Sequence, residues 1–272
     1  TFFADSLFAF RNGLAARSTF LERKMMSKRI AVVTGAARGI GRAIAEKLLQ
    51  DGLQVVGADI NVDVLMETAN ELAAQGLPFT PLSVDLTDPE QVRALFAEVE
   101  QSLGGVDVLV NNAGTCFLTD FVEISPDEFR QQMAINFDSA FYCCQQAIPL
   151  MLQRDGIKKI VNISSNGAYN FEAFDPAHYR ASKAAMDNMT KHLARQYARQ
   201  GIAVNSIAPA MTRTDLFDTV TPDVLAKALA GMPRGEPMQP QEIAAWASFL
   251  ISSAGDCSSG NVIILNQGRD VH

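Results

Sequence analysis

From residue 28 onward, short apolar runs alternate with longer stretches whose apolar residues recur every three or four positions. RIAVVT reads as a strand, and GRAIAEKLLQDG, closed by a glycine, as a helix. QVVGAD predicts a second strand, VDVLMETANELAAQG a second helix and FTPLSVDLTD a third strand. Thr87 or Asp88 then caps a helix over PEQVRALFAEVEQSLG, with Pro89 at its first position. There follow VDVLVNN, a long helix from about Pro126 to Gln153, KKIVNISS, a helix through YRASKAAMDNMTKHLARQYA, and IAVNSIAP. The helix PQEIAAWASFLIS and the strand NVIILN close the series. Val/Ile-rich strands that are apolar on both faces and alternate with helices imply a parallel sheet covered on both sides. No repeat or low-complexity linker divides the pattern, so we expect one doubly wound α/β domain over residues 25–272.

Residues 1–24 stand apart, with Phe at five positions and a mixture of Arg, Ser and apolar residues that faintly resembles a transit peptide. Asp5 and Glu22 weaken that reading, and MMSKRIAVV looks like a natural beginning. We expect an upstream extension or an artificial leader with no catalytic role. At 272 residues and 48% hydrophobic, the chain can bury a large core. Its net charge of −7, with no run of Lys or Arg, argues against a nucleic-acid surface. No apolar run is long enough for a bilayer. Cys116, Cys143, Cys144 and Cys257 show no CxxC or Cys/His ligand spacing, so neither a zinc site nor a disulfide framework is expected. That usage fits a reducing, cytoplasmic location.

In doubly wound folds, ligands bind beyond the carboxyl ends of the strands. The first such end is TGAARGIG, with Gly35, Gly39 and Gly41. Glycines there permit a tight strand-to-helix turn and close approach of a pyrophosphate to a helix N-terminus. The second strand ends at Asp59, 18 residues after Gly41. A carboxylate at that place can accept from an adenosine ribose and would repel a 2′-phosphate. Arg38 could meet such a phosphate, but no Arg or Lys follows Asp59 directly, which favours NAD over NADP. Tyr179 and Lys183, in YRASK, lie four residues apart on a predicted helix, so phenol and ammonium project from one face. An isolated YxxxK is ordinarily a surface pair, and three glycines in a turn can be purely structural; the combination is what points to chemistry.

TGAARGIG, NNAG (Asn111 to Gly114), NISS (Asn162 to Ser165), YRASK and NSIAPA occur in the order and spacing of the short-chain dehydrogenase/reductase family, which residues 28–268 therefore resemble. The resemblance implies a Rossmann-type fold of about seven parallel strands, a nicotinamide cofactor and commonly a homotetramer. It also implies a catalytic tetrad of Asn136, Ser165, Tyr179 and Lys183. Ser165 lies fourteen residues before the tyrosine, and Ser164 is then structural. Cofactor contacts carried over are Gly35, Arg38, Gly39, Ile40, Gly41, Asp59, Ile60, Asp85, Leu86, Asn112, Gly114, Tyr179, Lys183, Thr212 and Thr214. The Asp85–Leu86 pair matches the adenine contact, and the two threonines match the nicotinamide carboxamide contact. Asn136 would hold a water linking Lys183 to solvent. Two departures are Pro209-Ala210 in place of Pro-Gly, which adds a methyl near the nicotinamide, and LNQGRDVH in place of a common VDGG.

The implied activity is hydride transfer between NAD and a small or cyclic secondary alcohol or ketone. A 3-oxoacyl-thioester reductase using NADP is the alternative, and a non-catalytic nicotinamide-binding sensor or scaffold is a third reading. Ser165, Tyr179, Phe171 and Phe217 are the candidate substrate contacts, with Tyr169, Phe174, Met211, Cys116 and Phe117 as further lining. The apolar outer sides of the long helix and of the YRASK helix (Met186, Met189, Leu193) point to a homo-oligomer, a dimer or tetramer.

Overall fold

Every residue of β1 (Ile30–Thr34) is buried, and its side chains divide by parity. Ala31 and Val33 join one core, and Ile30 and Val32 the other. That is the signature of a central strand, whose alternate side chains face opposite layers. The computed structural model describes residues 28–170, 175–214 and 221–270. The N-terminal segment 1–24 and Phe171, Phe174 and Phe217 lie outside the described residues.

After β1 come α1 (Gly39–Gln50), β2 (Gln54–Asp59), α2 (Val62–Ala74), β3 (Thr80–Ser83), α3 (Pro89–Leu103) and β4 (Val108–Asn111). The second half holds α4 (Pro126–Met133), α5 (Ser139–Leu152), β5 (Lys158–Ile163), α6 (Ala177–Tyr197), β6 (Ile202–Pro209), α7 (Pro222–Ala230), α8 (Pro240–Ile251) and β7 (Val262–Leu265). All neighbouring strands pair in parallel, in the order β3-β2-β1-β4-β5-β6-β7. The chain reverses its direction of travel across the sheet between β1 and β4. The two loops that part there open the crevice in which doubly wound folds bind ligands.

One face of the sheet is covered by α1, α2 and α8, through Ile44, Leu48, Leu65, Leu72, Ile243 and Leu250. The other is covered by α3, α5 and α6, through Val92, Phe96, Cys143, Met151 and Met186. Between the capping candidates, the structure selects Asp88, whose side chain accepts the Glu90 N–H at 2.9 Å. Among the described residues no helix is long and apolar enough to cross a membrane.

Three differences from the sequence reading matter. The long helix is interrupted: α4 and α5 are joined by a π turn, Ala134–Asp138, which carries Asn136. Such wide turns re-aim side chains at functional sites. Between IAVNSIAP and PQEIAAWASFLIS, where the sequence pattern named no element, PDVLAKALA forms α7, with proline at its start. Met186 and Met189 are buried in the chain's own core, and Leu193 packs partly buried against it, so they do not supply an outer apolar face on α6.

Candidate active site

The glycine turn is built by close packing. Gly35 and Gly39 have φ of +63° and +57°, a region that costs other residues about 1–2 kcal/mol. A Cβ on Gly41 would overlap the Gly35 carbonyl oxygen and come within 2.5 Å of Asn112 Nδ2. Asn112 Nδ2 donates to the carbonyls of Thr34 and Gly35 at 3.0 and 3.1 Å. Thr34 Oγ1 in turn accepts the N–H groups of Asn112 and Ala113 at 2.9 and 3.1 Å. These bonds hold the β1–α1 turn against the β4 loop, across the switch point.

Beside the turn, Asp59 ends β2. Its Oδ2 accepts the Ala37 N–H at 3.1 Å and its Oδ1 the Asn61 N–H at 3.0 Å. Ile60 and Arg38 are exposed next to it. Asp85 folds back to accept from the Thr87 N–H and hydroxyl, while Leu86 is buried. Thr212 is buried, with its hydroxyl on the Ala210 carbonyl. The Thr214 methyl lies 3.4 Å from the point a Cβ on Gly39 would occupy, so the β6 loop closes over the glycine turn. In the first departure, Ala210, just past β6, is buried as a member of the same core cluster as Met211. In the other departure, Gln267 takes φ of +60° and ties its amide to Arg234 N and Glu236 O.

Asn136 and Lys183 come together where the β4 loop, β5, the π turn and α6 meet, with Ser165 just past β5 and Tyr179 one turn earlier on α6. Lys183 is 4% exposed, and its ammonium donates to the Ile163 carbonyl at 2.9 Å. Burial pulls its pKa down to about 8, resisted by Asp187 and Cys116. Burial likewise pushes the Cys116 thiol up to about 12. Asn136 is fully buried: its Oδ1 accepts from Thr115 N at 2.8 Å, and its Nδ2 donates to Thr115 O and Ser182 Oγ at 2.9 and 3.1 Å. The amide's two donors are thus used in joining the β4 loop to α6. Only the second lone pair of Oδ1 is left for a water. Gly114 matters here for its lack of a side chain. A Cβ there would sit 3.2 Å from Asn136 Oδ1 and 3.3 Å from Lys183 Nζ.

Ser165 is 7% exposed, and its Oγ accepts the Gly167 N–H at 3.0 Å. Tyr179 is partly exposed one turn before Lys183, and the Ser182 hydroxyl donates to its carbonyl at 2.6 Å. Cys116 is buried beside Lys183, Phe117 is half-buried with its N–H on Gln132, and Tyr169 is 38% exposed near Asp187.

Sequence reasoning missed Asp187 and the bonding role of Ser182. Ser164 Oγ donates to Asp187 Oδ2 at 2.7 Å and also approaches the Lys183 carbonyl at 3.4 Å. Burial raises the Asp187 pKa, opposed by the Ser206, Ser164 and Tyr169 hydroxyls and by the Lys183 charge. The signal was available: Tyr179, Lys183 and Asp187 follow one another at four-residue steps along one face.

A family model described as enoyl-(acyl carrier protein) reductase matches residues 35–270. A 3alpha-hydroxysteroid dehydrogenase of Mediterraneibacter gnavus is 33% identical over 245 residues, 88% of this chain and 96% of that protein. A 3-oxoacyl-(acyl-carrier-protein) reductase of Vibrio cholerae is 32% identical over 241 residues, 88% of this chain and 96% of its own. Among solved structures, the NADP active-site complex of Pseudomonas aeruginosa RhlG superposes with a TM-score of 0.84 at 30% identity, covering 90% of this chain and 97% of that one.

Proposed function

This chain belongs to the short-chain dehydrogenase/reductase family, and from that premise we propose that it moves a hydride between NAD and a small or cyclic secondary alcohol or ketone. The observation that carries the proposal is the buried Lys183 ammonium, held by the Ile163 carbonyl one helical turn from Tyr179. A phenol with a pKa of about 10 is a poor base at neutral pH, and an adjacent cation lowers it toward working range. In oxidation Tyr179, as phenolate, takes the hydroxyl proton while the carbinol C–H bond gives up its hydride. In reduction it returns that proton to the carbonyl oxygen. Bound nicotinamide supplies the hydride acceptor or donor. Ser165 donates to the substrate oxygen as charge develops. Asn136 holds the β4 loop to α6 and so sets the lysine's surroundings.

The residues present fit a dinucleotide. The glycine turn opens α1 with no Cβ in the way, and the Asp59 carboxylate stands at the end of β2 beside exposed Ile60. Asp59 favours NAD. We place the protein in the cytoplasm, and as a homo-oligomer: Phe129 on α4, Phe141 and Leu152 on α5, and Trp246 and Phe249 on α8 stand 41–47% exposed as single-chain surface. A monomer mass by light scattering at micromolar concentration would contradict the assembly.

A second reading, an NADP-dependent 3-oxoacyl-thioester reductase, is favoured by the name of the Vibrio cholerae relative and by the exposed Arg38 beside the glycine turn. A sensor without turnover has no chemical need for all four tetrad groups. The test is steady-state turnover of alcohols, ketones and an acetoacetyl thioester with both nucleotides, in wild type and Tyr179→Phe. We expect the variant to bind nucleotide normally by fluorescence titration and to lose several orders of magnitude in kcat. Residual kcat within about tenfold of wild type sinks the mechanism.

A further inference from the structure

We infer that Asp187 is a positioning residue for the catalytic pair: its buried carboxylate keeps the Lys183 ammonium charged and fixes the end of β5 that presents Ser165. The inference rests on the proposed hydride-transfer role of that site. Asp187 is 2% exposed and lies four residues after Lys183 on α6. Its Oδ2 receives the hydroxyl of Ser164, the residue before Ser165, at 2.7 Å. Its Oδ1 is buried and makes no hydrogen bond of its own. The Ser206 and Tyr169 hydroxyls also face the carboxylate, and a buried carboxylate persists where an opposite charge or a function offsets its desolvation.

The opposite charge is Lys183. Asp187 raises the lysine's affinity for its proton, and the lysine lowers that of Asp187, against the burial acting on both. The other groups facing the pair do not supply that charge. Cys116, from the β4 loop, is held as a neutral thiol by burial, with Asp175 acting in the same direction. Tyr169, from the loop after β5, is held as a neutral phenol by burial and by Asp187. Ser164 and Ser206 offer hydroxyls from just past β5 and from within β6, and Asn136 and the Ile163 carbonyl are uncharged. Tyr179 is the group the lysine acts upon. A lysine drawn down to about 8 sits close to losing its charge in the working range, so the remaining counter-charge decides how much phenolate Tyr179 can form.

Asp187→Asn separates charge from shape, because the amide oxygen can still accept from Ser164; Asp187→Ala removes both. With the best alcohol from the panel, Asp187→Asn should lower kcat about tenfold with KM little changed. It should also move the acid limb of the oxidation profile upward by about half to one pH unit. Asp187→Ala should add a further loss at all pH values. A merely structural residue would scale the profile without moving its limb, and an unmoved limb overturns the inference. A second measurement needs no turnover. Thermal unfolding of Asp187→Asn, Lys183→Met and the double variant should be non-additive by about 3 °C or more at pH 7 and additive near pH 10, where the lysine is neutral. Additivity at both pH values overturns the Asp187–Lys183 coupling even if the enzyme is active. Coupling without turnover on any substrate would instead overturn the functional reading on which the catalytic part rests.

Discussion

Replacing Asp59 by alanine separates two effects of one carboxylate. Its oxygens accept from Ala37 N–H at 3.1 Å and Asn61 N–H at 3.0 Å, bonds that hold the glycine turn to the end of β2. A hydrogen bond to a charged group contributes about 1.5–3 kcal/mol, so its loss loosens the turn for any nucleotide. The negative charge, in contrast, acts only against a ribose that carries a 2′-phosphate. At about 5 Å and an effective dielectric of about 20–40, that repulsion is about 2–3 kcal/mol before screening. Wild type should therefore favour NAD over NADP by about tenfold to a hundredfold in kcat/KM. Asp59→Ala should lose several-fold with NAD through the first effect, while NADP holds or improves through the second. Asp59→Asn, which keeps an acceptor oxygen, should retain more NAD activity and still narrow the ratio. Arg38, exposed beside the glycine turn, is the cation nearest in sequence to meet such a phosphate. The assay is initial rates with both nucleotides and one active substrate, at two ionic strengths, because screening shrinks only the charge effect. A wild-type preference for NADP, or an unchanged ratio in Asp59→Ala, would refute the reasoning and move the thioester-reductase reading ahead.

Gly41→Ala should place a methyl against the Gly35 carbonyl and Asn112 Nδ2, an overpacking cost of about 1–3 kcal/mol. A Tm lower by several degrees and a nucleotide KM raised at least about tenfold are expected; wild-type values of both would show that the turn has room. Lys183 gives a pH-dependent stability. Its folded pKa, about 8, lies below the unfolded 10.5, so the folded state sheds its proton first. The burial cost is fully present below about pH 8 and is relieved as pH rises toward 10.5, by roughly 3 kcal/mol in all. Calorimetry from pH 7 to 10 should show wild type gaining in Tm relative to Lys183→Met; a constant difference means the lysine is not depressed.

Local pattern was enough for the elements and for much of the site. Short Val/Ile-rich runs, apolar on both faces, identified the strands of a covered parallel sheet, and three-and-four spacing identified α1, α2, α3 and α6. Those periodicities arise within a few residues and need no knowledge of distant contacts. TGAARGIG and YRASK were legible for the same reason: a strand-to-helix turn and one helical turn are each complete within eight residues. What the chain's local order could not reveal is which distant segments meet. The partners of Asn136 are Thr115 and Ser182, 21 and 46 residues away, and the π turn that aims it leaves no mark in the apolar spacing. Ser164 was legible only as structural; its partner emerges when β5 and α6 pack together and its hydroxyl falls on Asp187, 23 residues on. Met186 and Met189 looked like an outer face because helical spacing gives the stripe but not its direction; α6 turns that stripe onto the sheet. That Ala210 is buried with Met211 in one core cluster was likewise invisible along the chain. Strand order and layer packing settled these contacts, because burial and charge compensation depend on neighbours brought together by the whole sheet.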